Sequence, residues 1–437
     1  MPLLPADHPE RDVLAEEVHA RPPVPVDTPS RASYIAVLVA LDDRESERQH
    51  LVALCETQGV AAPAPGATQF SAHLGTLQVK WERHGEFTGY TFFADGAGTA
   101  SAAVFSECAA SLLPAGWLAA VPGVTMAAVH GLVLPLEGAP PDAAALARYF
   151  GGHIAVGAEL AEGAGMACAD FKLHADRFSR VLLFDRDFTP RQAGRMLQRL
   201  FEIEAYRMMA LLALPLARSL TPRIGAIEAA LATLTERISK DAPERVESDE
   251  ALLQQLTRLA AEVESSLVAS QFRFGACRAY FELVTTRIAE LREQRAPGMQ
   301  TIEEFMARRF KPAVATCNTV GQRLHDLSER VAQASSLLST RVDIMRERQN
   351  QALLASMDRR AKLQLRLQQT VEGLSVAAIV YYAAGLVGYL AKGFKASGAP
   401  VDADIVVGLA VPLLLVLVLL ALRRARKRNA GGSPSHP

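Results

Sequence analysis

Aromatic residues are scarce in this chain, 6% of the total, and cysteine is scarcer, five among 437 residues. Cys55, Cys108, Cys168, Cys277 and Cys317 are odd in number, widely spaced and without a C-x-x-C pair. That excludes a disulfide framework and a zinc ribbon, and it suits small buried thiols in a reduced compartment. GxxxxGK[ST], GxGxxG after a strand, HExxH and GxSxG are all missing, which removes the common signatures of phosphate, dinucleotide, zinc-protease and serine-hydrolase sites. His84 and Glu86 form an H-x-E, but no P-C-x-x-C follows, so a zinc deaminase is excluded too. No cofactor is expected, and an enzyme is not the expected class. The first residues lack a basic stretch followed by an apolar core, so no secretory signal is predicted. The formal net charge is -1, and nucleic acid is not an expected partner.

Two long apolar runs dominate what remains. Leu374 to Ala391 and Ile405 to Leu422 each cover about 18 residues, enough at ~1.5 Å per residue to nearly cross a hydrocarbon core of roughly 30 Å. Gly393, Gly398 and Pro400 break the polar stretch between them, which reads as a tight turn. Arg359, Arg360, Lys362 and Arg366 precede the first run, and Arg423, Arg424, Arg426, Lys427 and Arg428 follow the second. The turn balances Lys392 and Lys395 against Asp402 and Asp404. The positive-inside bias therefore puts both flanks, and both termini, in the cytoplasm. The basic residues beside the spans meet anionic lipid heads.

Upstream, residues 1–30 form a proline-rich arm expected to lie extended, with His19 and Arg21 held against Pro22 and Pro23. Residues 31–188 read as a cytoplasmic α/β domain. Strands are expected over Ser33 to Leu41, Thr68 to Arg83, Glu86 to Ala94, Val124 to Leu134, His153 to Ala158 and Phe178 to Phe184. Helices are expected from Asp42 to Gln58 and from Asp142 to Phe150. Residues 189–370 read as a helical stalk. Thr189-Pro190 and Thr221-Pro222 look like capped helix starts that run to Ser219 and Lys240. A further helix spans Ser248 to Arg295, and Thr301 with Glu304 forms a capping box. Pro312 kinks or restarts the last helix, which then runs unbroken to Lys392. Leu338, Val342, Met345, Leu353, Met357, Leu367, Val371 and Leu374 recur along it at near-heptad steps, the pattern of a coiled-coil seam. The first span is placed at 371–391, the turn at 392–404, the second span at 405–422 and a basic tail at 423–437.

Five segments together resemble one bacterial family. They are His8-Pro9-Glu10-Arg11, His19-Ala20-Arg21-Pro22-Pro23, Trp81-Glu82-Arg83-His84, Gln198-Arg199-Leu200-Phe201-Glu202-Ile203-Glu204 and Gln368-Gln369-Thr370-Val371-Glu372-Gly373-Leu374-Ser375. The family is domain-of-unknown-function family thirty-four twenty-two, whose membrane-anchored members imply a bacterial inner-membrane protein. The order of parts also resembles the CorA-type magnesium channels, which assemble as oligomers with the first span lining the pore. Their Gly-Met-Asn motif is replaced here by Gly388-Tyr389-Leu390-Ala391-Lys392, and a lysine at that place repels an incoming cation.

Three groups of residues stand out as sites. Ser375, Ala378, Tyr382, Gly385 and Tyr389 repeat at steps of three and four along the first span, either a helix-packing face or a polar path. Tyr381 and Tyr382 fall near mid-span, where an interfacial belt does not account for them. Glu204 sits in the middle of the stripe Leu197, Phe201, Met208 and Leu211, so it is expected to be buried. Its role is either a link to Arg207 that joins the helices to the sheet, or a proton-coupled acid. Asp170, His174, Asp176 and Arg177 form a dense polar cluster whose carboxylates and imidazole suit a divalent ion. The sequence thus predicts an α+β membrane protein with a two-helix hairpin, self-associating and able to conduct an ion. The alternative is a membrane-tethered scaffold or sensor that binds a protein or small anion.

Overall fold

The computed structural model describes residues 5–17, 22–96, 105, 107–240, 246–396 and 402–430. His19 and Arg21 lie outside the described residues. The chain divides into two compact units: 1–243 with 251–336, and 244–250 with 337–437. The larger is α+β, and a short helix, α1 (Arg11–Glu17), falls within its N-terminal arm.

Among the described residues nine strands form its sheet: β1 (Ser30–Leu38), β2 (Gln69–Leu74), β3 (Leu77–Arg83), β4 (Phe87–Asp95), β5 (Val124–Pro135), β6 (Val156–Leu160), β7 (Gly165–Ala169), β8 (Ser179–Asp185) and β9 (Gln294–Arg295). Their order is β2-β3-β4-β1-β5-β8-β7-β6-β9, and only β5 and β8 run parallel. β1 is central and almost continuously buried, which is why Tyr34-Ile35-Ala36-Val37-Leu38 shows no polar alternation. Its two faces look into different layers. Ile35 and Val37 join Val79, Trp81, Tyr90, Phe92 and Trp117 under Leu51 and Leu54 of α2 (Arg44–Thr57). On the opposite face Tyr34 stacks on Phe201, with ring centroids 5.5 Å apart. Phe201 belongs to α4 (Pro190–Leu211), which crosses β5 above Gly131. A methyl group at Gly131 would sit 2.8 Å from the Phe201 ring and 2.9 Å from Leu197, so glycine sets how closely helix and sheet approach.

The local chemistry explains where elements begin and end. Asp142 caps α3 (Ala143–Tyr149) by accepting from the Ala145 N–H at 2.7 Å. Thr189 and Gln192 form a full capping box for α4, with Pro190 at its first position. Thr301 and Glu304 do the same for α7 (Ile302–Arg309), after α5 (Ala213–Lys240) and α6 (Val246–Leu291).

Several expectations from the sequence fail locally. The run Thr68 to Arg83 is a hairpin, β2 and β3, because Gly75 turns the chain at φ 65°. Asp42 lies in a short 3-10 turn, and α2 starts at Arg44 without a side-chain cap. β7 was not anticipated, since Gly-Met-Ala-Cys-Ala has little β-branched character; it is a strand because β6 and β8 pair with it on both sides. His153 precedes β6 in a loop. Thr221-Pro222 opens no helix: α5 carries Pro222 inside it, and Thr221 donates back to the Ala217 carbonyl at 2.8 Å. The break instead falls at Leu212, between α4 and α5. α6 stops at Leu291, where Arg292 turns left-handed at φ 51° and frees Gln294–Arg295 to join the sheet edge.

In the smaller unit, α8 (Lys311–Ala396) contributes its residues from Leu337 onward and is followed by α9 (Ala403–Ala430). Buried Asp249 pairs with Arg341 at 3.0 Å, and Glu250 pairs with Arg346 at 2.6 Å. Of the near-heptad residues, Leu338 and Val342 are buried, whereas Leu353, Met357, Leu367, Val371 and Leu374 are exposed. α8 and α9 each contain a stretch long and apolar enough to cross a membrane.

Candidate functional site

The polar cluster of the larger unit is gathered by two loops. One leaves α3 through Gly151 and Gly152, both left-handed, and delivers His153. The other joins β7 to β8 and carries Asp170 at its start and His174 four residues on. Asp170 is fully buried at its carboxylate, and both imidazoles point at its Oδ2. His153 Nδ1 lies 2.9 Å away and His174 Nε2 2.8 Å away. A carboxylate oxygen only accepts, so both ring atoms carry the proton in this arrangement. Oδ1 takes a weaker bond from the Lys172 N–H at 3.3 Å. His153 keeps 32% of its side chain exposed, so the cluster opens to solvent on that side.

Asp176 and Arg177, grouped with these residues in the sequence, are placed elsewhere. Asp176 binds Arg180 at 2.5 Å and accepts from the Phe178 N–H at 3.1 Å. Arg177 is exposed, and its N–H closes a turn onto the His174 carbonyl at 2.9 Å. The sequence does not group His153 with the cluster, because it lies 17 residues before Asp170 and the pattern there predicts a strand over His153 to Ala158 rather than a loop.

Glu204 is buried on α4 and takes a two-pronged bond from Arg207, Nε to Oε2 at 2.9 Å and a terminal nitrogen to Oε1 at 2.6 Å. The fork holds the guanidinium 5.7 Å from the centre of the Phe171 ring. Phe171 in turn stacks on Phe305 of α7 at 5.2 Å. The residue next to Asp170 is thereby clamped between α4 and α7, and Glu204 acts on the cluster at one remove.

A second group has the composition of a hydrolytic triad without its geometry. Ser33 Oγ and His130 Nδ1 share a hydrogen bond at 2.8 Å, while Asp176 stands 3.8 Å from Nε2. Ser33 is fully buried and already accepts from the Ala110 N–H at 3.0 Å. Burial and the nearby Arg180 cation push the His130 pKa down to about 3, so the ring is neutral and structural. Buried Glu47 is another acid that the sequence did not single out. Trp81 donates to it at 2.7 Å, Arg83 at 3.1 Å, and the Tyr90 hydroxyl donates as well. Burial alone pushes the Cys168 thiol up to about 12, which makes it unreactive.

In the smaller unit Ser375, Ala378, Tyr382, Gly385 and Tyr389 are all exposed on α8, and Ser375 also lines the groove between α8 and α9. Val380 is buried, and a methyl group at Gly388 would meet Val407 of α9 at 3.2 Å. α9 therefore covers the opposite face. Ser375 satisfies its own hydroxyl by donating to the Val371 carbonyl at 2.9 Å. Tyr382 and Tyr389 are 75% and 79% exposed. A groove of about 760 Å³ runs between the helices, with Gln364, Gln368 and Glu372 on one wall and Val418, Ala421 and Leu422 on the other.

Sheet, helices and apolar stretches together define an α+β protein with two helices long and apolar enough to span a membrane. The chain belongs to the family described as protein of unknown function (DUF3422), whose family model matches residues 6–429. No curated protein and no solved structure matches it. The CorA-type likeness accordingly rests on the order of parts alone.

Proposed function

We propose that this is a bacterial inner-membrane protein that self-associates through the open face of α8, with its larger unit serving as a tethered cytoplasmic sensor or scaffold. The uncovered tyrosine face carries this reading. Tyr382 lies within the apolar stretch, is largely exposed, and has a hydroxyl that hydrocarbon cannot satisfy. Small Ala378 and Gly385 beside it let another helix approach closely. A second copy of the chain supplies such a helix at no cost in new sequence. The basic residues flanking both spans favour cytoplasmic termini.

The mass of the detergent-solubilised protein tests the proposal. An oligomer is expected, and Gly385→Leu should reduce it to smaller species; a wild-type monomer rejects self-association. A second reading, an ion path, draws on the same five residues and on the topology shared with CorA-type channels. Proteoliposome flux that is present in the wild type and altered by Tyr382→Phe supports it, and absence of flux rejects it.

A further inference from the structure

We propose that His153, Asp170 and His174 bind one divalent transition-metal ion of the zinc, cobalt or iron(II) class. The three side chains offer ligand atoms that all lie within 4.8 Å of one another. Their aim is more telling than their proximity. Two histidines that merely stabilised a buried carboxylate would gain most by taking one oxygen each, because each oxygen offers its own lone pairs. Here both rings converge on Oδ2, and Oδ1 is left with a 3.3 Å backbone bond. Both imidazoles thus crowd one carboxylate oxygen, and the three ligand atoms lie close enough together for one ion to replace the two ring protons between them.

The distances allow it. Zinc with ligand bonds of ~2.0–2.1 Å in tetrahedral geometry holds its donor atoms about 3.3 Å apart. The ring nitrogens stand 2.8 and 2.9 Å from Oδ2 and the three ligand atoms lie within 4.8 Å of one another, so to admit the ion each ring draws back from Oδ2 by roughly half an ångström while the two nitrogens settle to the same spacing. The rings are already splayed, 49° between planes with centroids 5.1 Å apart. To bind the ion each imidazole presents a lone pair at the atom that now donates, the proton there passing to the other ring nitrogen or to solvent. Two imidazoles and one carboxylate favour a first-row transition metal over magnesium or calcium, which prefer oxygen donors. Three protein ligands leave a position open, and the exposed side of His153 faces solvent, so that position takes water or a small substrate.

The frame is rigid enough to select a geometry. Phe171 at φ 51° and Arg177 at φ 69° are non-glycine residues in the left-handed region, on either side of His174. Such conformations are strained and persist only where their surroundings hold them. Phe305 and the Arg207 guanidinium hold Phe171. The inference concerns the larger unit only and does not depend on self-association.

The test uses the full-length, untagged protein in detergent, stripped with EDTA and titrated with zinc or cobalt(II) chloride. One ion per chain is expected, with cobalt giving the strong visible absorption of a low-coordinate site and magnesium failing to compete. His153→Gln, at a partly exposed loop position, and Asp170→Asn should each weaken binding at least tenfold. His325→Gln, at an exposed residue on α8, should leave it unchanged. Tryptophan fluorescence from Trp81 and Trp117 should match the wild type in all three variants. No binding by the wild type, or equal binding by wild type, His153→Gln and Asp170→Asn, overturns the proposal.

Discussion

Replacing Gly194 with alanine offers a test of how the N-terminal arm is held. Gly194 lies on α4, and a methyl group there would stand 1.8 Å from the Val24 carbonyl oxygen and 3.0 Å from its carbon. Both are backbone atoms, so no side chain can swing aside. Helix propensity alone argues the other way, since alanine is favoured over glycine by about 1 kcal/mol in a helix interior. Against that gain stands the attachment of the arm. Val24 and Val26 are 8% and 4% exposed, and burying each contributes roughly 1.5–3 kcal/mol. The Val26 N–H also donates to the Pro190 carbonyl at 2.9 Å, adding ~1 kcal/mol. Ordering a residue costs about 1–2 kcal/mol, but Pro22, Pro23 and Pro25 arrive with φ already fixed. Attachment therefore nets only a few kcal/mol, and a misfit of more than an ångström exceeds it. The expected outcome is a released arm on an otherwise intact fold. Hydrogen exchange followed by mass spectrometry should show loss of protection at the Val26 amide, whose bond to Pro190 holds the arm, with β1 and β5 unchanged. Gly225→Ala, on α5 where nothing lies within 4 Å, is the control and should stabilise slightly. Unchanged protection of the arm in Gly194→Ala would refute the reasoning.

Other consequences can be measured alongside. Glu47→Gln leaves Arg83 without its buried countercharge, and loss of one partner of a buried pair costs on the order of 3–5 kcal/mol, to be read as a lowered urea midpoint. The His130 pKa of about 3 in the folded protein lies below the ordinary histidine value of 6.5, so the unfolded chain takes up the proton first. Its contribution is full above pH 6.5 and is lost as pH falls toward 3, reaching roughly 3 kcal/mol by pH 4. His130→Gln should flatten the fall in stability between pH 7 and pH 4, and an unchanged slope contradicts the assignment. Arg207→Met should loosen Phe171 and raise hydrogen exchange in residues 170–178, while Arg223→Met, at a half-exposed pair, should not.

The motifs that mark the family acquire physical roles in the fold. Trp81 and Arg83 both serve Glu47, which ties α2 to the sheet. Along Gln198 to Glu204, Lys80 donates to Gln198 at 3.1 Å, Phe201 stacks on Tyr34, and Glu202 pairs with Arg287 of α6. Arg199 reaches Glu290 at 2.9 Å. One helix thus carries the sheet on one side and α6 on the other. Such a seam constrains many positions at once.

What the sequence determined unaided had a local cause, though not every local signal held: Thr221-Pro222 lies inside α5. Caps at Asp142, Thr189 and Thr301 act within three residues, and the apolar stretches of α8 and α9 follow from composition. The hairpin between β3 and β4 followed from alternation across His84-Gly85. Tertiary structure alone decided the rest. β7 is a strand because its neighbours pair with it, and β9 exists because Arg292 turns the chain onto a sheet edge. The membership of the polar cluster was also a matter of folding. Asp176 stands two residues after His174 in sequence, yet it turns to Arg180, whereas His153 comes from another loop to share the Asp170 oxygen. Which side chains meet depends on where loops end in space, and sequence spacing fixes that only within a single helix or strand.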